Sequence, residues 1–328
     1  MNYPSLQVIA NKIEKIIDAF YSGNRRKIIS ILLILFSIYI IGYVLYSNRD
    51  FLLDYDWNLK YRWIIVAIII FTVDFLLSLY AWHLLVKKLT GIDKFLTTSR
   101  LYLISNLARR LPGSVWYIAD RAILYKEVGL KPRTTTALAG LEIVMFVISG
   151  FLTFLITIPF WLDLFLSESS PTLIWIGLIP VVIGLLAFTN PKVLFKIWTN
   201  LSAETLDRPL SYLDTFCFFV VYLGTWILGG LVIFALVSAL YPLSNNHIMT
   251  VIGIWSLSGS IAILGISALP IFSVRDISMI LFLSQIIPPP IALLVAILAR
   301  VLWAAGELSA SMIALRTTNP VLRENTPN

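Results

Sequence analysis

Residues 106–130 read NLARRLPGSVWYIADRAILYKEVGL, and this stretch decides how the chain folds. Long apolar segments lie on both sides of it, yet it contains a Pro-Gly pair surrounded by four charged residues, Arg109, Arg110, Asp120 and Arg121. Proline interrupts a helix, and charged side chains at membrane depth need protein or water around them. The stretch therefore predicts two short half-helices that meet at a turn and are packed in protein or face a wet cavity.

The composition is that of a polytopic membrane protein. Of 328 residues, 59% are hydrophobic and 13% are charged, and the mean hydropathy is +0.87. The net charge of +7 does not indicate nucleic-acid binding, because the basic residues cluster beside the ends of apolar runs. The single Cys217 excludes an intramolecular disulfide, and with only His83 and His247 we expect neither a metal site nor a cofactor.

Hydropathy predicts about six full spans, at residues 28–46, 63–86, 135–160, 172–188, 213–240 and 291–315. Residues 1–26 are predicted to form an interfacial amphipathic segment, residues 27–316 the membrane domain, and residues 317–328 a polar tail. Basic residues before the first span and after the second place both termini in the cytoplasm of a plasma-membrane protein.

A second apolar region, residues 247–290, is interrupted by Leu269-Pro270 and by Ser273-Val274-Arg275-Asp276, and we interpret it as a second broken hairpin. The first hairpin enters from the cytoplasm and the second from outside. Pro112 precedes Glu142 by the same 30 residues that separate Pro270 from Arg300. These features predict an inverted repeat, with repeat one at about 63–160 and repeat two at about 213–315.

Two motifs resemble those of the lysylphosphatidylglycerol synthase/flippase transmembrane family. They are Leu111-Pro112-Gly113-Ser114-Val115-Trp116, followed by Arg121 and Gly129, and the run Ser273-Val274-Arg275-Asp276. Here Ile271 and Phe272 replace the family's usual glycine, and Asp276 stands where glutamate is common. The resemblance implies a membrane-embedded lipid translocator without the synthase domain. It also implies glycosyltransferases or other envelope-biosynthesis proteins as partners.

An anionic lipid headgroup that crosses the membrane needs buried cations in place of water, and arginine binds phosphate bidentately. The predicted substrate-binding residues are Arg110, Trp116, Arg121, Arg275, Arg300 and Trp303. Acids predicted to pair with these arginines or to take up protons are Asp74, Asp120, Glu142, Asp276 and Glu307. The alternatives are structural ion pairs for the acids and interfacial anchoring for the aromatic residues.

Three functions compete. The first is a lipid flippase without covalent chemistry, which moves an anionic phospholipid or a polyprenyl-phosphate-linked glycolipid. The second is a membrane glycosyltransferase that uses Asp54 and Asp56, and the third is an accessory subunit of envelope glycan assembly. We favour the first, which is not an enzyme, and expect Arg121→Ala and Arg275→Ala to abolish lipid movement.

Overall fold

A computed structural model describes residues 39, 42, 43, 46–107, 116–160, 184, 187, 189–202, 210–264 and 274–316. The regular elements within these residues are all helical, and the chain is an all-α polytopic membrane protein, as predicted. In chain order the α-helices are α1 (Arg49–Asp54), α2 (Tyr61–Thr90), α3 (Phe95–Leu107), α4 (Trp116–Leu124), α5 (Pro132–Thr157), α6 (Pro191–Ser202), α7 (Tyr212–Leu240), α8 (Ile248–Leu264), α9 (Val274–Leu283) and α10 (Pro289–Arg316).

Local sequence signals explain several helix ends. Ser211 and Asp214 form a capping box at the start of α7, in which each side chain accepts from the backbone N–H of the other. Pro132 occupies the first turn of α5, where a missing N–H costs nothing. Gly91 ends α2 with a φ of 74°, a left-handed conformation that favours glycine.

Five described helical segments are long and apolar enough to cross a membrane. Four of them, α2, α5, α7 and α10, correspond to predicted spans. The fifth covers Asn245–Ile263 and so contains most of α8, which we predicted as half of a broken hairpin. Predicted spans at 28–46 and 172–188 lie almost wholly outside the described residues, as do residues 1–26 and 317–328.

Helices α2 and α7 run antiparallel and pack against each other. The Lys88 ammonium lies 2.6 Å from the Asp214 carboxylate, which joins the end of α2 to the start of α7. At the other end, the rings of Trp63 and Phe234 are 6.0 Å apart. Tyr55, just before α2, donates a hydrogen bond of 2.6 Å to the Leu240 carbonyl at the end of α7.

A long helix, two shorter helices and another long helix follow one another twice, as α2 to α5 and as α7 to α10, although α8 with its preceding turn is itself of span length. In both sets a proline precedes the second of the shorter helices in the sequence, Pro112 before α4 and Pro270 before α9. The contacts between the two sets are also equivalent. In each direction the second helix of one set packs on the last helix of the other, α3 on α10 and α8 on α5. With the first helices of the two sets antiparallel, this is the geometry expected of an inverted repeat.

The two hairpins enter the bundle from opposite ends. Arg100, near the start of α3, donates to the Ala314 carbonyl in the last turn of α10 (3.1 Å). The C-terminus of α10 therefore lies at the end of the bundle where α3 begins. Since α10 therefore starts at the other end, the pair α8 and α9 enters and leaves there. We call the end with the α3–α4 hairpin the basic end, because it contains Lys87, Lys88, Lys94, Arg100, Lys126, Lys131, Arg133 and Arg316.

Two details differ from the sequence prediction. The first half-helix begins at Phe95 rather than near Asn106, because residues 95–107 form one continuous helix whose buried face packs inside the bundle. The predicted loop at 47–62 contains the short helix α1. The turn predicted at Pro112-Gly113, together with Arg109 and Arg110, lies outside the described residues.

Candidate functional site

The first charged centre is formed by Arg121 on α4 and Glu142 on α5. Their side chains meet at 2.7 Å between Nη1 and Oε2, and Arg121 has no solvent exposure. The guanidinium also donates to Ser105 Oγ (3.3 Å) and to the Asn106 side-chain oxygen (3.2 Å), both on α3. Every nitrogen of the guanidinium therefore has an acceptor, as a buried cation requires.

Aromatic rings enclose the same guanidinium. Its carbon lies 4.1 Å from the ring centroid of Trp82, 4.2 Å from that of Tyr102 and 5.4 Å from that of Tyr117. Tyr102 also donates to Glu142 (3.3 Å). Arg121 thus connects α2, α3, α4 and α5. The guanidinium is therefore closed off from solvent on every side.

Tyr125 extends this first centre toward the basic end. Its hydroxyl accepts from the Trp82 indole N–H and donates to the Thr98 carbonyl (2.7 Å). Thr98 in turn faces His83, whose Nδ1 lies 2.9 Å from the threonine hydroxyl. The other ring nitrogen of His83 lies 3.3 Å from Asp93.

The second charged centre is formed by Arg275 and Asp276 on α9 and Arg300 on α10. Arg275 Nη2 lies 3.2 Å from one carboxylate oxygen of Asp276, and Arg300 Nη2 lies 3.1 Å from the other. Asp276 is buried, with 2% of its side chain exposed, whereas the side chains of Arg275 and Arg300 are 25% and 32% exposed. These three side chains together hold one positive charge in excess.

Tryptophan residues form one wall of the second centre. The Arg275 guanidinium carbon lies 5.0 Å from the ring centroid of Trp255 on α8. Trp255 packs against Trp303 (4.9 Å between centroids), and Trp303 packs edge-on against Phe71 of α2 (5.3 Å). A cation beside aromatic faces in a partly exposed position is a suitable receptor for an anionic group with apolar substituents.

In both sets of helices an ion pair joins the second short helix to the following long helix, but the charges are reversed. The short helix α4 contributes the arginine and α5 the acid, whereas α9 contributes the acid and α10 the arginine. Glu142 and Arg300 each lie 30 residues after the proline of their own hairpin. Both lie about 15 Å along their helices, which is near mid-length.

The remaining predicted residues are placed as follows. Asp74 on α2 is buried, and its Oδ1 has no hydrogen-bond partner among the described residues. Asp120 and Glu307 are half-buried, and the described ion-pair partner of Arg121 is Glu142 rather than the adjacent Asp120. Arg110 and the side chain of Trp116 lie outside the described part of the chain.

Asp54 and Asp56, considered for a glycosyltransferase, are both exposed beside the end of α1. Within the described ranges no three His, Cys, Asp or Glu side chains are grouped as metal ligands. Sequence reasoning missed Trp82, Tyr102, Ser105, Asn106 and Trp255. For α3 a signal existed, since Tyr102, Ser105 and Asn106 follow the i, i+3, i+4 spacing of one helix face.

Comparisons with models of known protein families, with curated proteins and with solved structures found no match for this chain.

Proposed function

We propose that this protein is an integral membrane lipid translocase that moves an anionic phospholipid or a polyprenyl-phosphate-linked glycolipid. In this proposal the headgroup phosphate is bound by Arg275 and Arg300 of the second charged centre. We also propose that the chain is related to the lysylphosphatidylglycerol synthase/flippase transmembrane family, as its two motifs suggest. By the positive-inside rule, the basic end is proposed to face the cytoplasm.

The observation that supports the proposal most directly is the arrangement of Arg275 and Arg300 around Asp276. Two guanidinium groups share one carboxylate and remain partly exposed. A phosphate oxygen pair has the geometry that a guanidinium binds bidentately, so a headgroup can replace Asp276 as the partner of both arginines. The carboxylate keeps the arginines paired when no lipid is bound, which lowers the cost of holding cations in the membrane.

The path of the two hairpins supports a transport cycle rather than a static lipid site. Helices α3 and α4 approach the centre from the basic end, and α8 and α9 approach from the opposite end. Transporters built from inverted repeats expose a central site to each side in turn by exchanging the conformations of the two repeats. We did not find a described contact that favours the glycosyltransferase or accessory-subunit functions.

The test is lipid translocation by the purified protein in liposomes. Fluorescent phosphatidylglycerol, a polyprenyl phosphate and a neutral lipid are compared, with and without an ion gradient. We expect movement of an anionic lipid. Arg275→Gln and Arg300→Gln should each slow it roughly 10- to 100-fold, because each removes a charged hydrogen bond to the headgroup.

Two controls sharpen this test. Arg62→Gln removes one exposed positive charge from α2 and should leave the rate unchanged. Arg275→Lys keeps the charge but loses the bidentate geometry, so it should be intermediate. Normal rates in both glutamine variants would remove the proposed headgroup site, and equal movement of the neutral lipid would remove the role of charge.

A further inference from the structure

The helix α6 is capped at its start and packs against the first turns of α5. Asn190 caps it, accepting from the Lys192 backbone N–H at 2.9 Å, and Pro191 follows in the first turn. Leu194 and Trp198 are buried in the cluster that includes residues of α5.

At the other end of α6, Arg133 of α5 donates to the Leu201 carbonyl (3.0 Å). A Cβ added to Gly140 of α5 would lie 3.8 Å from the Leu201 side chain. The C-terminal end of α6 therefore lies beside the first two or three turns of α5, within roughly 12 Å of the start of that span. Because α5 has the length and composition of a membrane span, we expect this end of α6 to lie near the lipid headgroups.

The opposite face of α6 combines positive charge with apolar surface. Lys192, Lys196 and Asn200 are exposed and follow one another at i, i+4 and i+8, so they lie on one side of the helix. With Val193 and Ile197 they line a surface groove of about 510 Å³. The ammonium groups and the amide form one stripe along this open groove on α6, and the two aliphatic side chains lie beside that stripe.

Further positive charge lies near this groove. Lys131 and Arg133 at the start of α5 are both exposed, and the Arg133–Leu201 contact brings α6 next to them. Leu201 is itself 48% exposed, which adds apolar surface at the same end of α6. Basic side chains with neighbouring apolar surface at headgroup depth are complementary to an anionic phospholipid rather than to a soluble anion.

We propose that this groove is a binding site for an anionic phospholipid of the surrounding leaflet. The headgroup phosphate lies between the Lys192 and Lys196 ammonium groups, the Asn200 amide donates a hydrogen bond to it, and an acyl chain packs along Val193 and Ile197. The groove shares no residue with the second charged centre. The two proposals fail separately when the binding titration below is made in the Arg275→Gln/Arg300→Gln background, because the second charged centre then no longer contributes to the lipid that is counted.

Native mass spectrometry of the purified full-length protein in detergent, titrated with phosphatidylglycerol or phosphatidylcholine, tests the site. We expect preferential binding of phosphatidylglycerol, weakened roughly tenfold or more in Lys192→Gln/Lys196→Gln. The matched control Arg49→Gln/Lys60→Gln removes two positive charges at the opposite end and should bind like the wild type. Both substituted lysines are exposed, so thermal unfolding should confirm that the variant is folded.

Three results would overturn the proposal. They are unchanged phosphatidylglycerol binding in the α6 variant, an equal loss in the control variant, and equal binding of phosphatidylcholine by the wild type. Competition by soluble glycerol phosphate at the same concentration as the lipid would also refute a lipid site, because it would assign the groove to a soluble anion.

Discussion

Replacing Glu142 by glutamine tests whether the first charged centre stabilises the bundle. The substitution keeps the size of the side chain but removes the negative charge that lies 2.7 Å from Arg121. Arg121 has no exposure, so water cannot replace the lost partner. Breaking a buried ion pair by neutralising one member typically costs about 3–5 kcal/mol.

The aromatic rings around Arg121 place the expected cost at the lower end of that range. Trp82 and Tyr102 lie 4.1 and 4.2 Å from the guanidinium carbon, and each such contact contributes about 1–2 kcal/mol when desolvated. Ser105 and Asn106 continue to accept hydrogen bonds from Arg121. We therefore expect Glu142→Gln to lose about 3 kcal/mol, which for a chain of 328 residues is a fall in Tm of about 4 °C.

A double variant tests whether the loss of stability in Glu142→Gln comes from leaving the Arg121 charge without its partner. Glu142→Gln/Arg121→Met removes both charges and should recover most of the lost Tm, since replacing a whole buried pair is often close to neutral. Thermal unfolding in detergent, followed by tryptophan fluorescence, measures all variants. Asp54→Asn, an exposed acid, serves as the control. A single variant within 1 °C of the wild type, or a double variant that is no more stable than the single one, would refute this reasoning.

Two further predictions use the same assay. Gly230→Ala should lower stability by about 1–3 kcal/mol, because its Cβ would lie 2.6 Å from the Ile252 backbone, whereas Gly140→Ala has room and should be neutral or stabilising. Hydrogen bonding from Lys87 lowers the pKa of the Asp93 carboxyl group. The ionised carboxylate therefore adds to the free energy of unfolding above the unfolded pKa of about 3.9, and this stabilisation is lost as the pH falls through the folded pKa. The Tm difference between wild type and Asp93→Asn should therefore shrink from about pH 5 to pH 3, and a difference independent of pH would contradict this.

The sequence was sufficient for the fold class and for the positions of four helices of span length, because hydropathy is a property of neighbouring residues. The predicted interruptions after Pro112 and Pro270 lie outside the described residues, so the broken hairpins and the inverted repeat stay predictions. Glu142 and Arg300, which the equal 30-residue intervals singled out, both belong to interhelical ion pairs.

The sequence did not indicate how the charged centres are enclosed. The ring of Trp82 reaches Arg121 from a helix about forty residues earlier, and Trp255 reaches Arg275 from the preceding helix of its hairpin. Local periodicity identifies a buried face but not which other helix covers it. The same limit explains why Arg121 and Arg275 were predicted as equivalent headgroup contacts, although the first is fully buried and the second is a quarter exposed.

The reversed charges of the two ion pairs assign different tasks to the two hairpins under the proposed function. A phosphate competes with Glu142 for Arg121 only if it enters a site enclosed by aromatic rings, which requires α4 to separate from its neighbours. At the second centre the phosphate meets arginines that are already partly exposed and displaces Asp276 from both. That exchange replaces the direct ion pair between α9 and α10 with a shared ligand, while α4 stays paired with α5.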